Sequence, residues 1–290
     1  MGKGKGKGKN KKPKKKDKAK NAKPSGPTRA ELADKYVLYQ ASVQNPEADV
    51  EFFEKIFHDH FSRTPTLFRE DFCGTFQACC TWTSRRPENR AWGIDLDPEP
   101  IAWGRQHNLV KIPNDAQERI TLLQADVRAT PPARVDLIAA QNFSYCIFTT
   151  RDELRNYFKK CLEGLLPEGL LVLDLYGGYE SLQANEEETE YPDGYSYVWD
   201  TVSYDAITNR VQTAIHFRFP DKSELTNAFT YDWRLWTIAE VRELLLEAGF
   251  SKAEVFWEGV DEDGDGDGDF VPQTSAENEP GWIAYLAGVR

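Results

Sequence analysis

No apolar stretch in the sequence approaches the roughly 18 residues needed to cross a bilayer as a helix, so a soluble protein is expected. The N-terminus has no apolar core, which argues against a secretory signal. It is rich in Lys rather than in Arg and Ser, which argues against a transit peptide. The five cysteines (Cys73, Cys79, Cys80, Cys146 and Cys161) are odd in number and never spaced CxxC. A disulfide framework and a zinc site are therefore not expected, and a reducing compartment is. The cytoplasm is the expected location, with the nucleus as the alternative in a eukaryotic cell. The dinucleotide fingerprint GxGxxG is also missing, which weakens a dehydrogenase reading.

Aromatic residues are plentiful. Eight Trp, 12 Tyr and 16 Phe in 290 residues demand a buried core, in one large domain or two small ones. Charge is divided unevenly. Residues 1–30 hold twelve Lys and one Arg against one acid, while the rest of the chain holds 23 basic and 46 acidic residues. The alternating Gly and Lys of the first 24 residues cannot bury area and repel one another, so a disordered tail is expected over 1–30. The acidic body repels phosphate backbones, so nucleic-acid contact is expected only as weak contact through the tail.

From residue 67 onward, strand and helix patterns alternate. Leu67–Glu70, Ala91–Asp95, Ile120–Gln124, Val135–Ala140 and the apolar run Gly169–Leu175 read as strands. Helical patterns lie between them, with an Asp97-Pro98 start and a capping box at Thr150 and Glu153. This order predicts a parallel sheet in an open α/β fold. Period-two alternation over Tyr195–Val202, Arg210–Phe219 and Glu224–Tyr231 predicts a three-stranded antiparallel insertion with one wettable face, within about residues 190–232. A helix from Thr237 to Gly249 and strands at Ala253–Trp257 and Trp282–Val289 complete the domain, 31–290. The segment Asp261–Asp269 (DEDGDGDGD) resembles a calcium loop but has Pro272 where the bidentate acid belongs, so a solvated acidic loop and no metal are expected.

Open parallel sheets bind ligands beyond the carboxyl ends of their strands. The first strand ends in Arg69-Glu70-Asp71-Phe72-Cys73-Gly74-Thr75, a tight turn before a helix start that suits a carboxylate. The second ends in Asp95, placed to receive ribose hydroxyls, and the third in Asp126, placed to accept from an exocyclic amine. The fourth runs into Gln141-Asn142-Phe143-Ser144-Tyr145.

The motifs LREDFCGT, WGIDLDPEPIAWG, ITLLQADV and LIAAQNFSY, in this order, resemble those of class I S-adenosylmethionine-dependent methyltransferases over about residues 36–290. The resemblance implies a Rossmann-like, mostly parallel seven-stranded sheet with helices on both faces, an antiparallel terminal strand, and an antiparallel insertion after strand 5 that covers the substrate. It implies S-adenosyl-L-methionine as cofactor. Glu70, Cys73, Gly74 and Thr75 would form its first loop, Asp95 and Leu96 would hold the ribose, and Asp126 and Val127 the adenine. Gln141 and Asn142 would lie near the methionyl part, and Tyr39 and Gln44 would close over it. The sequence departs from the family at Phe72 and Phe76, where glycines are usual, and a different loop shape is expected there.

A sulfonium is already an activated electrophile, so the protein has to align a nucleophile and exclude water. The candidate acceptor-side groups are Tyr145, Tyr176, His216 and Tyr231; of these side-chain types only an unperturbed histidine changes charge near neutrality, and the alternative for His216 is an exposed strand histidine beside Arg218. The expected activity is methyl transfer to N or O of a small-molecule acceptor, favoured by the acidic body. The alternatives are an RNA- or protein-directed methyltransferase recruited by the tail, and a non-catalytic adenosyl-ligand-binding scaffold.

Overall fold

A computed structural model describes residues 26–129, 133–260 and 266–290, the side chain of residue 260 excepted. The expected tail lies almost wholly outside the described residues, and so does the first half of the expected acidic loop.

Three capped helices come first. Thr28 forms a capping box with Glu31 over α1 (Arg29–Leu32), Asp34 accepts from two N–H groups at the start of α2 (Lys35–Val43), and Asn45 precedes Pro46 at the start of α3 (Pro46–Phe61). The alternating part runs β1 (Leu67–Asp71), α4 (Gln77–Arg85), β2 (Arg90–Asp95), α5 (Pro98–His107), a short α6 (Asn114–Gln117), β3 (Ile120–Gln124), β4 (Val135–Ala140), α7 (Arg151–Gly164) and β5 (Leu165–Gly177). The insertion follows as β6 (Asn185–Tyr191), β7 (Tyr195–Asp205), β8 (Arg210–Arg218) and β9 (Glu224–Arg234). The domain closes with α8 (Ile238–Ala248), β10 (Lys252–Val260), β11 (Gly266–Gln273) and β12 (Trp282–Val289). The expected capping boxes at Thr150 and Thr237 are present, and α8 ends on Gly249 at φ 109°, a left-handed position that suits glycine.

The main sheet has the order β11-β10-β12-β5-β4-β1-β2-β3. Strands β3, β2, β1, β4 and β5 are parallel, and β12 runs antiparallel to both β5 and β10. Strand β5 shows why its sequence is nearly all apolar. Leu171, Leu173 and Leu175 pack on one face with Tyr157 and Phe158 of α7 and Leu244 of α8. Leu170 and Val172 pack on the other with Phe53 and Phe57 of α3 and Trp82 of α4. Each such side chain contributes about 1.5–3 kcal/mol on burial.

Two expectations need correction. Among the described residues the sheet has eight strands, because β11 adds to β10 by antiparallel pairing and takes in Gly266–Asp269 of the expected acidic loop. The insertion has four strands and covers 185–234, because β6 (NEEETEY) pairs with β7. Its face carrying Gln212, Ala214, His216 and Arg218 is also less wet than expected, since Ala214 and His216 are buried.

Candidate functional site

Strand β1 lies between β4 and β2, so the chain leaves its carboxyl end at the point where the strand order reverses. A crevice opens there by topology alone. The loop that begins it takes left-handed backbone at Phe72 (φ 57°), Gly74 (φ 51°) and Phe76 (φ 49°). The two phenylalanines thus adopt a glycine-like conformation, contrary to the different shape expected. Each costs about 1–2 kcal/mol of backbone strain. Burial offsets that cost: Phe76 is fully buried against Gly104, where even a Cβ would come 2.5 Å from its ring, and Phe72 packs against Phe148 and Tyr157.

The loop is tied to the next strand end. The Gly74 N–H donates to Asp95 Oδ2 (2.7 Å), and the Asp97 N–H donates to Oδ1 (2.9 Å). Both oxygens keep a lone pair for an incoming hydroxyl, and burial raises the Asp95 carboxyl above its ordinary range. Leu96 beside it is exposed, an apolar side chain at the crevice edge. Glu70 is buried and accepts the Cys79 N–H at the start of α4 (3.1 Å), and burial pushes its carboxyl up to about 7. Cys73 is buried and packs against Gly93, and the Thr75 hydroxyl accepts from Gln40 (2.8 Å). Asp126 is held by Arg128, whose guanidinium gives it two hydrogen bonds of 3.1 and 2.7 Å and whose N–H gives a third. An adenine amine there would share this carboxylate with Arg128, while the neighbouring Val127 is buried.

After β4 the chain turns through Asn142 and Phe143, both at φ 57°. Their consecutive N–H groups donate to the buried Asp174 carboxylate at 2.7 and 2.9 Å. Burial pushes Asp174 up to about 7. Gln141, just before them, accepts from Ser144 through its carbonyl. Sequence reasoning missed Asp174, although an acid inside GLLVLDL was the available signal. It also missed the fully buried pair of Arg69 and Asp71, joined at 2.8 and 2.7 Å, with the Tyr157 hydroxyl donating to Asp71.

Beyond Asn142 lies a chamber of ≈ 470 Å³ between the strand ends and the insertion. Phe143, Tyr176, Tyr197, Trp199, Tyr231 and Trp233 form its walls. The Tyr231 and Trp233 rings stack at 4.2 Å, and Tyr176 meets Phe143 at 4.7 Å. Tyr39 enters from α2 and meets the Phe229 ring at 4.8 Å, tilted by 53°. The Tyr176 hydroxyl is buried without a partner, as is Gln44 Oε1, among the described residues.

Two candidates fall elsewhere. Tyr145 is sealed in the core against Phe158 and is not part of the chamber wall. His216 projects from the opposite face of β8 to Ile215, which lines the chamber, and it is buried rather than exposed. Its Nε2 lies 3.2 Å from Asp200, and its Nδ1 accepts the Asn227 N–H at 2.8 Å. The His216 ring is therefore a structural link between β7 and β9.

No family model matches the sequence, and no curated protein does. Solved structures do match. An S-adenosylmethionine-dependent methyltransferase from Clostridium acetobutylicum is 17% identical, with 87% of this chain and 96% of that one covered and a TM-score of 0.60. A sugar N-methyltransferase from Streptoalloteichus is 15% identical, with 89% and 93% covered and a TM-score of 0.58. An amino pentose methyltransferase from Micromonospora echinaspora, solved with S-adenosylmethionine bound, is 14% identical, with 87% and 95% covered and a TM-score of 0.60. The chain therefore has the class I methyltransferase fold.

Proposed function

We propose that this chain is an S-adenosylmethionine-dependent methyltransferase acting on a small molecule. The observation that carries the reading is the switch-point strand end, where the Asp95 carboxylate is aimed by the Gly74 N–H, together with the aromatic chamber that opens beyond Asn142 at the next strand end. The neighbours of the same fold, which include sugar and glycopeptide methyltransferases, support it.

The donor set fits the cofactor. Asp95 keeps acceptor capacity for two ribose hydroxyls, Leu96 offers an apolar edge, and Asp126 stands at the third strand end beside buried Val127. Asn142, held by Asp174, lines the chamber at the carboxyl end of β4, and in this reading it stands beside the methionyl part. When bound, S-adenosylmethionine supplies a methyl carbon on a positively charged sulfur. The protein's part is to hold the acceptor in line with that carbon and to keep water away. The rings of the chamber wall shield it from water on their side, Tyr39 of α2 reaches over to Phe229, and Gln40 ties α2 to Thr75.

Calorimetric titration of S-adenosylhomocysteine, S-adenosylmethionine and NADH into wild type and Asp95→Ala tests the reading. Micromolar binding of both adenosyl ligands, lost in a folded Asp95→Ala variant, is the expected result. Wild type that binds neither adenosyl ligand would end the methyltransferase reading.

A further inference from the structure

The chamber's lining narrows the acceptor. Among the described residues its ionisable side chains other than tyrosines are Glu180, Glu187 and Glu258, with no Lys, Arg or His. A carboxylate or phosphate acceptor would be repelled by all three acids. A hydroxyl or thiol acceptor would need a base aligned beside it, and the described lining offers only those three carboxylates, weak bases for such a proton. Tyr39, Tyr176, Tyr197 and Tyr231 stay protonated because burial raises their hydroxyls well above the usual range, and His216 is on the far face. A neutral amine needs no such base, because its lone pair is free to attack.

The charge that appears during the reaction points the same way. As the nitrogen lone pair forms the N–C bond, the C–S bond electrons go to sulfur, and the positive charge moves from sulfur to nitrogen. Aromatic faces attract such a cation through the negative charge of their π-faces. Trp199, Tyr231 and Trp233 present three adjacent rings with centroids 4.2 to 6.3 Å apart. The N-methylammonium product then loses its proton to water at the mouth, where Glu187 stands across the ladder from Trp199.

We propose that the chamber takes its acceptor as an amine on an apolar carbon skeleton, with the nitrogen against the Trp199, Tyr231 and Trp233 rings and the Glu187 side of the mouth. This rests on the methyltransferase reading for the reaction, but the binding preference is measurable without it.

The test measures binding of matched probes by calorimetry: cyclohexylamine, benzylamine and tryptamine, each against its alcohol (cyclohexanol, benzyl alcohol and tryptophol). At least one amine is expected to bind about tenfold more tightly than its alcohol, a preference of the size one ring–cation contact supplies. The preference is expected to fall several-fold in Glu187→Gln, an exposed position where folding is not at stake, and in Trp199→Leu. Amines that bind no better than their alcohols, or no binding by any probe at millimolar concentration, would overturn the inference. S-adenosylhomocysteine is titrated in the same samples. Its binding with no amine preference leaves the methyltransferase reading standing and removes the amine, whereas the reverse outcome removes the methyltransferase reading alone.

Discussion

Replacing Asp174 by Asn should change how the protein's stability depends on pH. In the folded chain its carboxyl is pushed from 3.8 up to about 7, because burial outweighs the two N–H groups that it accepts. The raised group binds its proton more tightly folded than unfolded. Its stabilising contribution is therefore complete below the unfolded value and is lost as pH rises through about 7. Between about pH 5 and about pH 8 one proton is released over roughly two pH units, which amounts to about 2.5 kcal/mol at 1.36 kcal/mol per unit. Asn has no such titration, but it accepts only one of the two N–H groups and leaves the other unpaired, a constant cost of about 1–3 kcal/mol. Urea unfolding of both proteins at the two pH values measures the difference. With a slope of about 2–3 kcal/mol per M, the wild-type midpoint should fall by about 1 M relative to the variant as pH rises. Midpoints that move in parallel would show that the Asp174 proton does not behave as its burial requires.

Phe76→Gly relieves about 1–2 kcal/mol of left-handed strain but empties a fully buried aromatic site worth about 3–5 kcal/mol, so a net loss of about 2–3 kcal/mol is expected in denaturant unfolding. Gly104→Ala brings a Cβ to 2.5 Å from both the Phe76 ring and the Thr75 carbonyl, and should lower the melting temperature and weaken S-adenosylhomocysteine, whereas Gly281→Ala, with open space around it, should do neither. Arg69→Met leaves the buried Asp71 without its cation and should cost about 3–5 kcal/mol, with most of the loss recovered when Asp71→Leu is added; an unrecovered double variant would contradict the pairing. His216→Gln should lower the melting temperature while leaving S-adenosylhomocysteine affinity unchanged, because the ring faces away from the chamber.

Elements were legible in the sequence where one physical pattern dominated. The run at Gly169–Leu175 reads as a strand because both of its faces are covered, and the capping boxes read directly from Thr and Glu spacing. Strand β6 escaped because all but the last of its residues are exposed on an edge, so it has no apolar alternation to detect, and its glutamates suit an edge that must not pair further. Strand β11 escaped because Gly, Asp and Pro272 are poor strand residues that only an edge position tolerates. The positions of Asp95 and Asp126 were legible because a strand end fixes where they stand. The left-handed Phe72 and Phe76 were not, since local propensity opposes them and distant packing against Phe148 and Gly104 decides. His216 failed as a candidate for a simple reason: alternation shows that it faces away from Ile215, but only the tertiary fold shows which face meets the chamber.

The position of β12 has a consequence for how the chain is made. Of the eight strands in the main sheet it is the last to be synthesised, yet it lies between β10 and β5, pairing Trp282 to Val289 with Gly177 to Leu170. Until those residues clear the ribosome, the flank of β5 and the inner flank of β10 are both open, with apolar residues on either side. A nascent chain paused before residue 282 therefore presents two unpaired edges that invite pairing with other chains. Insertion of the final strand both completes the core and removes these edges. A chain lacking β12 would be a client for a chaperone rather than a weaker version of the whole.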